Sequence, residues 1–584
     1  MYRAPVADIA HALKHVAGVN AALDAGDFGD LTEDVLDAVL GEAGRFATDE
    51  IAPLRKIGDT VGAKLVDGAV VTPPGWRDLY RKWIDAGWAA LAGPVDFGGQ
   101  GLPTVLSIAA LEMWNSGAMA FGVGPTLTMG AAEALDKHAS AELKAAYLEK
   151  LVSGEWMGTM NLTEPQAGTD LAALKSRAEP RADGTYRIFG QKIFITYGEH
   201  DWTDNIVHLV LARLPDAPPG VKGISLFLAP KFLVNADGSL GDRNDVFCSS
   251  LEHKLGIHGS PTCVMIFGDG KFGDEPGAVG WLVGEENRGL ACMFTMMNNA
   301  RLAIGIQGVA VAEAAYQKAL AYARERKQGR AAGAAGAGMS AIVDHADVRR
   351  NLATMRGLTA IARALCYSCA FAIDRDHGGG GTHWRERAAL LTPLAKAFST
   401  DIGVEAASVG LQVHGGMGFI EETGAAMLYR DARIAPIYEG TNGIQAIDLV
   451  TRKLPLSGGD HVRGLFAEMG DIIAGLDHPG LGSAPARLAA ALADLESATA
   501  FLLDALAAGR MEEALAGATP YLRLFSLALG ATLVARGAAA SGEDNRIALS
   551  RFIAENLLSE TAALRDRVVN GAASLSALTP EFAA

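Results

Sequence analysis

The sequence predicts a mainly helical α+β protein in which a β domain interrupts a succession of helices. Helical spacing of apolar residues extends from about Ile9 to Lys150 and returns from Leu290 onward. Between these parts, from Thr159 to about Val283, apolar runs of strand length alternate with glycine and proline. Residues 456–584 are rich in alanine and leucine and lack lysine, which predicts an additional helical domain.

Length and composition narrow the class of protein. A chain of 584 residues is too long for one hydrophobic core, so several domains are expected. The hydrophobic content of 49% and the charged content of 20% are typical of a soluble globular protein. A net charge of −16 argues against nucleic acid or an anionic membrane surface as the main partner. We expect no signal peptide and no membrane insertion, and a cytoplasmic location.

The five cysteines predict a reducing compartment without a disulfide framework, because they are few and odd in number. Cys366 and Cys369 fall within a helical pattern, where their spacing places both on one face. We therefore interpret them as structural residues rather than as a zinc site, and we predict no metal.

The predicted N-terminal helices include Leu31 to Ile51, with Thr32 as a plausible N-cap. A glycine-rich break lies around residues 87–103. Further helical patterns cover Ile108 to Trp114 and Ala141 to Val152, and the latter ends before Gly154.

The predicted β domain is mainly antiparallel. Residues Tyr186 to Thr196 are rich in β-branched and aromatic side chains, and Ile206 to Ala212 and Gly223 to Ala229 are apolar runs of strand length.

Helical patterns then return and are broken at two glycine-rich places. The predicted helices after the β domain are Leu290 to Lys327, Ala346 to Ile373, Ala388 to Val413, Arg487 to Leu506 and Tyr521 to Arg536. The Ala/Gly tract from Ala331 to Gly338 is predicted to be a surface loop, since no Gly-Lys-Ser/Thr follows it. The run Gly378 to Gly381 is predicted to break the chain.

Glu439 is the principal candidate for chemistry. It stands between Tyr438 and Gly440 with apolar residues on both sides. A carboxylate in apolar surroundings resists ionisation, so its pKa rises toward that of a useful general base. Gly440 allows another flat molecule to approach the backbone, because it has no Cβ. The alternative is a helix N-terminus capped by Thr441, and the residues alone leave both interpretations open.

The segment Tyr438 to Gln445, Tyr-Glu-Gly-Thr-Asn-Gly-Ile-Gln, resembles the catalytic-base motif of the acyl-CoA dehydrogenases. Further motifs follow in that family's order over most of the chain. The resemblance implies FAD as cofactor and Glu439 as the base that removes the α-proton of an acyl-CoA while the β-hydrogen leaves as hydride. The product would be a trans-2-enoyl-CoA.

The resemblance also implies the acyl-CoA dehydrogenase fold, with a helical N-terminal domain, a middle antiparallel β domain and a C-terminal four-helix bundle. The expected segments are an N-terminal helical extension (1–35), the N-terminal α domain (36–158), the middle β domain (159–285), the C-terminal α domain with the base (286–455) and an additional helical domain (456–584).

Two segments resemble the family's flavin signatures. In Leu162 to Asp170, the resemblance implies that the Thr163 hydroxyl and the backbone around Met160 and Leu162 meet the flavin, and that Thr169 contacts the CoA part of the substrate. In Lys192 to Thr196, it implies that Phe194 packs against the flavin and that Thr196 bonds to it. The residues alone favour a turn or capping role for Thr163 and Asp170, and a buried strand is the alternative for the second segment. The sequence has no strand–turn–helix Gly-x-Gly-x-x-Gly, so a Rossmann site is not predicted.

Other motifs resemble substrate contacts. The resemblance implies that Asn298, Arg301, Tyr438 and Gly440 bind the substrate. Ala300 occupies a position at which some family members carry their catalytic glutamate, which leaves Glu439 as the base.

Further matches imply FAD contacts across a subunit interface. Arg326 matches an arginine that reaches the FAD pyrophosphate of the neighbouring subunit, where a guanidinium fits bidentately. Gln412 and Gly416 belong to a Gln-x-x-Gly-Gly-x-Gly segment with the same implied role, and Thr441 matches a threonine that bonds FAD. A solvated charge run and a simple turn are the alternatives.

The implied partners are an acyl-CoA, electron-transfer flavoprotein and a second copy of the chain. Length, the Tyr-Arg-Ala-Pro start and the C-terminal domain most resemble the 3-methylmercaptopropionyl-CoA dehydrogenase group. The alternatives are a medium- or long-chain fatty acyl-CoA dehydrogenase, an acyl-CoA oxidase that uses O2, and a DNA-associated flavoprotein. The last is disfavoured, since residues 456–584 contain nine arginines against fifteen Asp and Glu.

Apolar residues occur on every turn between Tyr521 and Val534, so this helix must be buried against something. We expect it to pack on the catalytic helices, and the protein to be a homodimer.

Overall fold

A computed structural model describes residues 2–29, 31–335 and 338–578, and the side chains of Asn298 and Asn299 lie outside this description. The elements of the first part are the helices α1 (Val6–His11), α2 (Val19–Asp24), α3 (Glu33–Phe46) and α4 (Arg55–Val61), the strands β1 (Lys64–Val66) and β2 (Ala69–Val71), and the helices α5 (Trp76–Asp85), α6 (Thr104–His138) and α7 (Ala141–Val152).

Strands dominate the middle of the chain. They are β3 (Met157–Asn161), β4 (Arg177–Pro180), β5 (Tyr186–Thr196), β6 (Ile206–Ala212), β7 (Ser225–Pro230), β8 (Phe232–Val234), β9 (Leu240–Arg243), β10 (Val246–Leu251), β11 (Thr262–Phe267) and β12 (Ala278–Val283).

The remainder is helical. Its helices are α8 (Gly289–Glu325), α9 (Ala346–His377), α10 (Gly381–His414), α11 (Ala425–Ala432), α12 (Asn442–Asp448), α13 (Asp460–Ala474), α14 (Ala484–Ala507), α15 (Met511–Ala516), α16 (Ala518–Ser541), α17 (Asp544–Phe552), α18 (Thr561–Asn570) and α19 (Ala572–Ser576). The predicted mainly helical α+β fold class, with its central β domain, is confirmed.

The chain forms two compact units. The first, the helical unit, consists of Met1–Ala47, Thr104–Ser116 and Arg301–Ala584. The second, the sheet unit, consists of Thr48–Pro103 and Gly117–Ala300. One division falls inside α6, beside Ala118, whose backbone is extended with φ −158° and ψ 104°.

The sheet has the strand order β10-β11-β5-β12-β7-β6-β3, with β4 beside β5. The pairing is antiparallel except between β3 and β6, which run parallel, so the predicted mainly antiparallel sheet is confirmed. The predicted bounds of β5 and β6 agree with the structure. Every residue of β6 is buried, which explains why it reads as a continuous apolar run rather than an alternating one.

Two helix predictions in the N-terminal part are confirmed. The Thr32 hydroxyl accepts a hydrogen bond from the Val35 amide at 3.4 Å and so caps α3, and α7 has its predicted bounds. The interpretation of residues 9–150 as helical throughout is wrong at one place, where β1 and β2 form a hairpin. Asp67 and Gly68 turn this hairpin with positive φ, and Asp-Gly between apolar residues is the sequence signal that reveals it.

The apolar helix of the C-terminal segment is buried, as predicted. Tyr521, Phe525 and Leu529 of α16 are at most 1% exposed. α16 packs against α9 and α10 as well as α14 and α18. The contact with α9 is close, because a Cβ on Gly530 would lie 2.5 Å from Ile361 Cγ2.

By length and composition alone, α9 and α16 would each be able to cross a membrane, but 78% of each apolar window is buried inside the protein. Cys366 and Cys369, both on α9, are buried and contact α10 through the Ala395 carbonyl at 3.7 Å and the Thr392 hydroxyl at 3.6 Å. The predicted loop at 331–338 lacks helix and strand over its described residues, and residues 336 and 337 lie outside them.

Candidate active site

Glu439 lies in the loop between α11 and α12, within the helical unit. Its backbone is left-handed, with φ +54°, and Gly440 follows with φ +84°. This φ favours glycine at position 440, where a Cβ would also lie 2.8 Å from Gln445 Nε2. A glutamate with positive φ is uncommon, and such backbone strain is concentrated at functional sites.

Burial raises the pKa of the Glu439 carboxyl above its ordinary value, while the positive charges of Arg301 and Lys396 act in the opposite direction. Arg301 projects from α8, and burial lowers the pKa of its guanidinium against the attraction of Asp448 and Glu439. The site therefore combines a half-buried carboxylate with two cations, which keep the carboxyl ionisable despite its desolvation.

Tyr438 connects the loop to α8. Its hydroxyl donates a hydrogen bond to Gln307 Oε1, and burial raises the pKa of that hydroxyl. Gln307 itself is 1% exposed. Thr441 occupies the N-cap position of α12, but its side chain makes no capping hydrogen bond, so the cap interpretation is wrong for the hydroxyl. Thr441 is exposed.

The two segments predicted to meet the flavin come together in the sheet unit. The Ile193 amide donates to the Thr163 carbonyl at 2.9 Å, and Lys192 Nζ donates to the Leu162 carbonyl at 3.1 Å. The Thr159 hydroxyl donates to the Thr196 carbonyl at 2.8 Å. These bonds leave the side chains of Thr163 and Thr196 half-buried.

Phe194 lies within β5, where the register with β11 shifts; its backbone is left-handed, with φ +61°, and 58% of its surface is exposed. For a bulky aromatic residue this backbone conformation is an outlier, and such outliers are concentrated at functional sites. An exposed aromatic face beside backbone groups and two threonines fits a flat, amphipathic ring such as a flavin. The interpretation as a plain buried strand therefore does not hold at Phe194.

The remaining predicted residues of the sheet unit differ in exposure. Met160 is buried in β3, paired with Leu209 of β6, so only its backbone is positioned to meet a ligand. Thr169 is exposed. Asp170 accepts a hydrogen bond from the Ala172 amide at 2.9 Å and thus caps a short turn, as its alternative interpretation expects. The side chain of Asn298, predicted to bind substrate, lies outside the described residues.

The residues predicted to reach a neighbour's FAD lie near one another in the helical unit. The rings of Tyr322 and His414 stack with centroids 4.6 Å apart, which joins the end of α8 to the glycine segment after α10. Arg326 follows Tyr322 by four residues, Gln412 and Gly416 flank His414 in the sequence, and all three are exposed. The arrangement offers a guanidinium, an amide and open backbone to one ligand.

Sequence reasoning missed three polar residues around the base loop, Lys396, Asn442 and Gln307. Lys396 Nζ donates to the Gly440 carbonyl and to Asn442 Oδ1, each at 2.9 Å, although Lys396 is 0% exposed. A single lysine inside the apolar run Leu394-Ala395-Lys396-Ala397-Phe398 is the signal that marks it.

Comparisons with known families cover most of the chain. The families described as acyl-CoA dehydrogenase N-terminal domain, middle domain and C-terminal domain match residues 34–155, 159–269 and 287–454. A fourth, described as acetyl-CoA dehydrogenase C-terminal like, matches residues 465–579.

Individual relatives and solved structures indicate the same family. A 3-methylmercaptopropionyl-CoA dehydrogenase of Ruegeria pomeroyi is 46% identical over 98% of this chain and 99% of its own. An acyl-CoA dehydrogenase complexed with FAD from Bacillus anthracis has a TM-score of 0.73 at 20% identity and covers 95% of this chain and 90% of its own. A structure described as an electron transferring flavoprotein of Acidaminococcus fermentans has a TM-score of 0.59 at 26% identity, over 72% of this chain and 98% of its own.

The fold and the site define a flavin-dependent oxidoreductase that acts on acyl thioesters. The chain belongs to the acyl-CoA dehydrogenase family. Its reaction is the FAD-dependent α,β-dehydrogenation of an acyl-CoA.

Proposed function

We propose that Glu439 is the base that removes the α-proton of the acyl-CoA. The supporting observation is a half-buried carboxylate held in a left-handed turn, with a pKa raised by burial. Among the described residues, the backbone amide of Glu439 donates to no other protein group, so it is available to the substrate carbonyl oxygen. Negative charge builds on that oxygen as the proton leaves, and a donor already aimed at it lowers the barrier by about 2.7–4 kcal/mol.

FAD supplies the hydride acceptor when bound, and the chain supplies binding and orientation. Thr163, Thr196 and Phe194, with the backbone at Met160 and Leu162, would hold the flavin ring. Thr441 would bond FAD as well. Support comes from the exposed, left-handed Phe194 and from the hydrogen bonds that join the two flavin segments.

The pyrophosphate of FAD would be held by Arg326, Gln412 and Gly416 of a second copy, and their exposure is in keeping with that role. On the substrate side, Thr169 and Asn298 would contact CoA. Arg301 would do so beside the base, with Tyr438 and Gly440 forming the wall next to the reacting carbons.

The proposed substrate is 3-methylmercaptopropionyl-CoA, and the proposed acceptor is electron-transfer flavoprotein. The 46% sequence identity to the Ruegeria pomeroyi relative, over 98% of this chain and 99% of the relative, supports this substrate. Likeness to the Acidaminococcus fermentans structure supports the acceptor. We further propose a cytoplasmic homodimer and the five-segment domain division predicted above, which the four family matches support.

A panel of thioesters tests the substrate. Anaerobic flavin bleaching is measured with 3-methylmercaptopropionyl-CoA, with straight-chain acyl-CoAs of comparable length such as pentanoyl-CoA, and with a long-chain acyl-CoA. We expect the ratio of the bleaching rate constant to the apparent Kd to be highest for the methylthio compound. The Glu439→Gln variant serves as the control for non-enzymatic bleaching. A preference for the long chain would reject the substrate while leaving the dehydrogenase class intact.

A further inference from the structure

The turn that carries Glu439 has two successive residues with positive φ, and the glutamate is the one for which this is unfavourable. Glu439 and Gly440 both have positive φ. An L-residue in this region is unfavourable and persists only where the surrounding structure holds it. A restraint on the turn is therefore also a restraint on the direction of the carboxylate.

That restraint comes from one face of α10. Lys396 Nζ donates to the carbonyl of Gly440 at 2.9 Å and to Asn442 Oδ1 at 2.9 Å. Asn442 Nδ2 in turn donates to the Ala397 carbonyl at 3.0 Å and to Asp401 Oδ1 at 2.8 Å. Gly440 and Asn442, which directly follow Glu439, are thus fastened to a single helix by side-chain hydrogen bonds.

The charge of Lys396 is also unusually placed for a lysine. It is fully buried in the helical unit, and burial lowers the pKa of its ammonium to about 8 against the attraction of Asp401 and Glu439. Arg301 of α8 repels it. The charged groups facing Glu439 are Arg301 and Lys396. A buried lysine is costly, and burial of this one brings positive charge close to the base.

We propose that Lys396 is a positioning residue for the dehydrogenation, which holds the Glu439 turn in its left-handed form and supplies part of the positive charge that keeps the base ionised. The proposal rests on Glu439 being the base. Lys396 itself touches neither proton nor hydride, and its effect reaches the reaction through the Gly440 carbonyl and through its charge. A purely structural lysine would influence folding and FAD content but not the titration of the base.

Three substitutions separate the two contributions. Lys396→Met removes both charge and donors, Lys396→Gln keeps a donor without charge, and Lys396→Arg keeps both. For each variant, the rate of flavin reduction by saturating acyl-CoA is measured from pH 5 to 9, alongside FAD content and the thermal midpoint. Lys14→Met is the matched control, since Lys14 is also held by two polar partners, Glu33 and Asp37, but contacts none of the base-loop residues.

We expect Lys396→Met to lower the limiting rate at least tenfold with little change in KM, and to move the acid limb of the pH profile upward by about one pH unit. Lys396→Gln should show the same upward shift with a smaller loss of rate. Lys396→Arg should recover most of the rate and the original acid limb, and Lys14→Met should match the wild type.

An unshifted acid limb in folded, FAD-loaded Lys396→Met and Lys396→Gln proteins would overturn the proposal, whatever their rates. So would failure of all three variants to fold with FAD, because Lys396 would then serve the fold alone. Glu439→Gln is run in parallel. If that variant turns over at the wild-type rate, it is the assignment of the base that fails, and this result is distinguishable because it does not depend on Lys396.

Discussion

The Lys192 ammonium donates a hydrogen bond to Glu164 Oε1 at 2.8 Å, and the two side chains are 0% and 3% exposed. Glu164 also accepts from the amides of Lys175 and Ser176 at 2.7 and 3.0 Å. Burial acts to raise the pKa of Glu164, but Lys192 and these donors outweigh it and bring the pKa to about 2. One buried ion pair therefore joins the two segments that are proposed to hold the flavin.

Glu164→Gln is expected to destabilise the protein by about 3–5 kcal/mol at pH 7, because it leaves the buried Lys192 charge uncompensated. Thermal or urea unfolding with excess FAD measures the loss. Glu164→Gln combined with Lys192→Met should recover part of it. The control is Lys82→Met, which breaks an exposed pair with Glu50 worth about 0–1 kcal/mol. Equal midpoints for Glu164→Gln and the control would contradict the prediction.

The same pair predicts a pH dependence. A carboxyl whose pKa is lowered on folding contributes stability above its unfolded value, 4.5 for Glu164, and this contribution is lost as the pH falls toward 2. The difference in stability between wild type and Glu164→Gln should therefore narrow steadily below pH 4.5. Equilibrium unfolding of both proteins at pH 3, 5 and 7 checks the sign, and a difference that widens on acidification would refute it.

Glu439→Gln should retain FAD and lose turnover by about 10²–10⁴-fold, since a neutral amide cannot accept the α-proton. The amide has nearly the volume of the carboxyl, so the turn and its hydrogen bonds to α10 should persist. Stopped-flow bleaching of the flavin by acyl-CoA measures the loss, and the absorbance ratio of protein to flavin provides the control. Near wild-type reduction would remove Glu439 from the role of base.

Features set by neighbouring residues could be predicted from the sequence, whereas contacts between distant residues could not. β5 and β6 were predictable to the residue because β-branched, aromatic and other apolar side chains are concentrated in them, and α7 because its helical spacing ends before Gly154. The family was recognisable from the motif around Glu439, because that motif consists of neighbouring residues. Lys396 was not, since its contact with Gly440 spans 44 residues of sequence, and helical spacing says nothing about what a helix faces. The left-handed backbone at Phe194 has no sequence signal either, because bulky residues rarely adopt it.

Arg326→Ala should weaken FAD retention while sparing the fold, if this exposed guanidinium reaches the pyrophosphate of a partner's FAD. Flavin content after gel filtration is the measurement. Arg330→Ala is the matched control, because Arg330 is also an exposed arginine after α8 but binds the Ala334 carbonyl of its own loop at 2.6 Å. Equal flavin content in the two variants would count against a cofactor contact at Arg326.

Electrons should leave to electron-transfer flavoprotein rather than to oxygen. An anaerobic assay with that partner, or with a ferrocenium acceptor, should show turnover that air alone does not support. Peroxide is measured in the aerobic reaction. Fast turnover in air with one peroxide per enoyl-CoA would move the protein to the acyl-CoA oxidases.

The last prediction concerns the C-terminal helices. α16 packs its apolar surface on α9, and Gly530 makes this approach possible because a Cβ there would lie 2.5 Å from Ile361 Cγ2. If α13–α19 cover the face that would otherwise join two dimers, the intact protein is a homodimer. Deletion after Lys453 should then expose apolar area and lead to aggregation or a larger oligomer.

Gly530→Leu tests this cover without removing the domain, because the added side chain must push α16 away from α9. Gly464→Leu is the matched control, since a Cβ at Gly464 of α13 meets nothing within 4 Å. Light scattering should give a dimer for the wild type and for Gly464→Leu, and larger species for Gly530→Leu and for the truncated chain. Because the cover is proposed to determine the oligomeric state, a tetrameric wild type, or a soluble, unchanged dimer after truncation, would refute it.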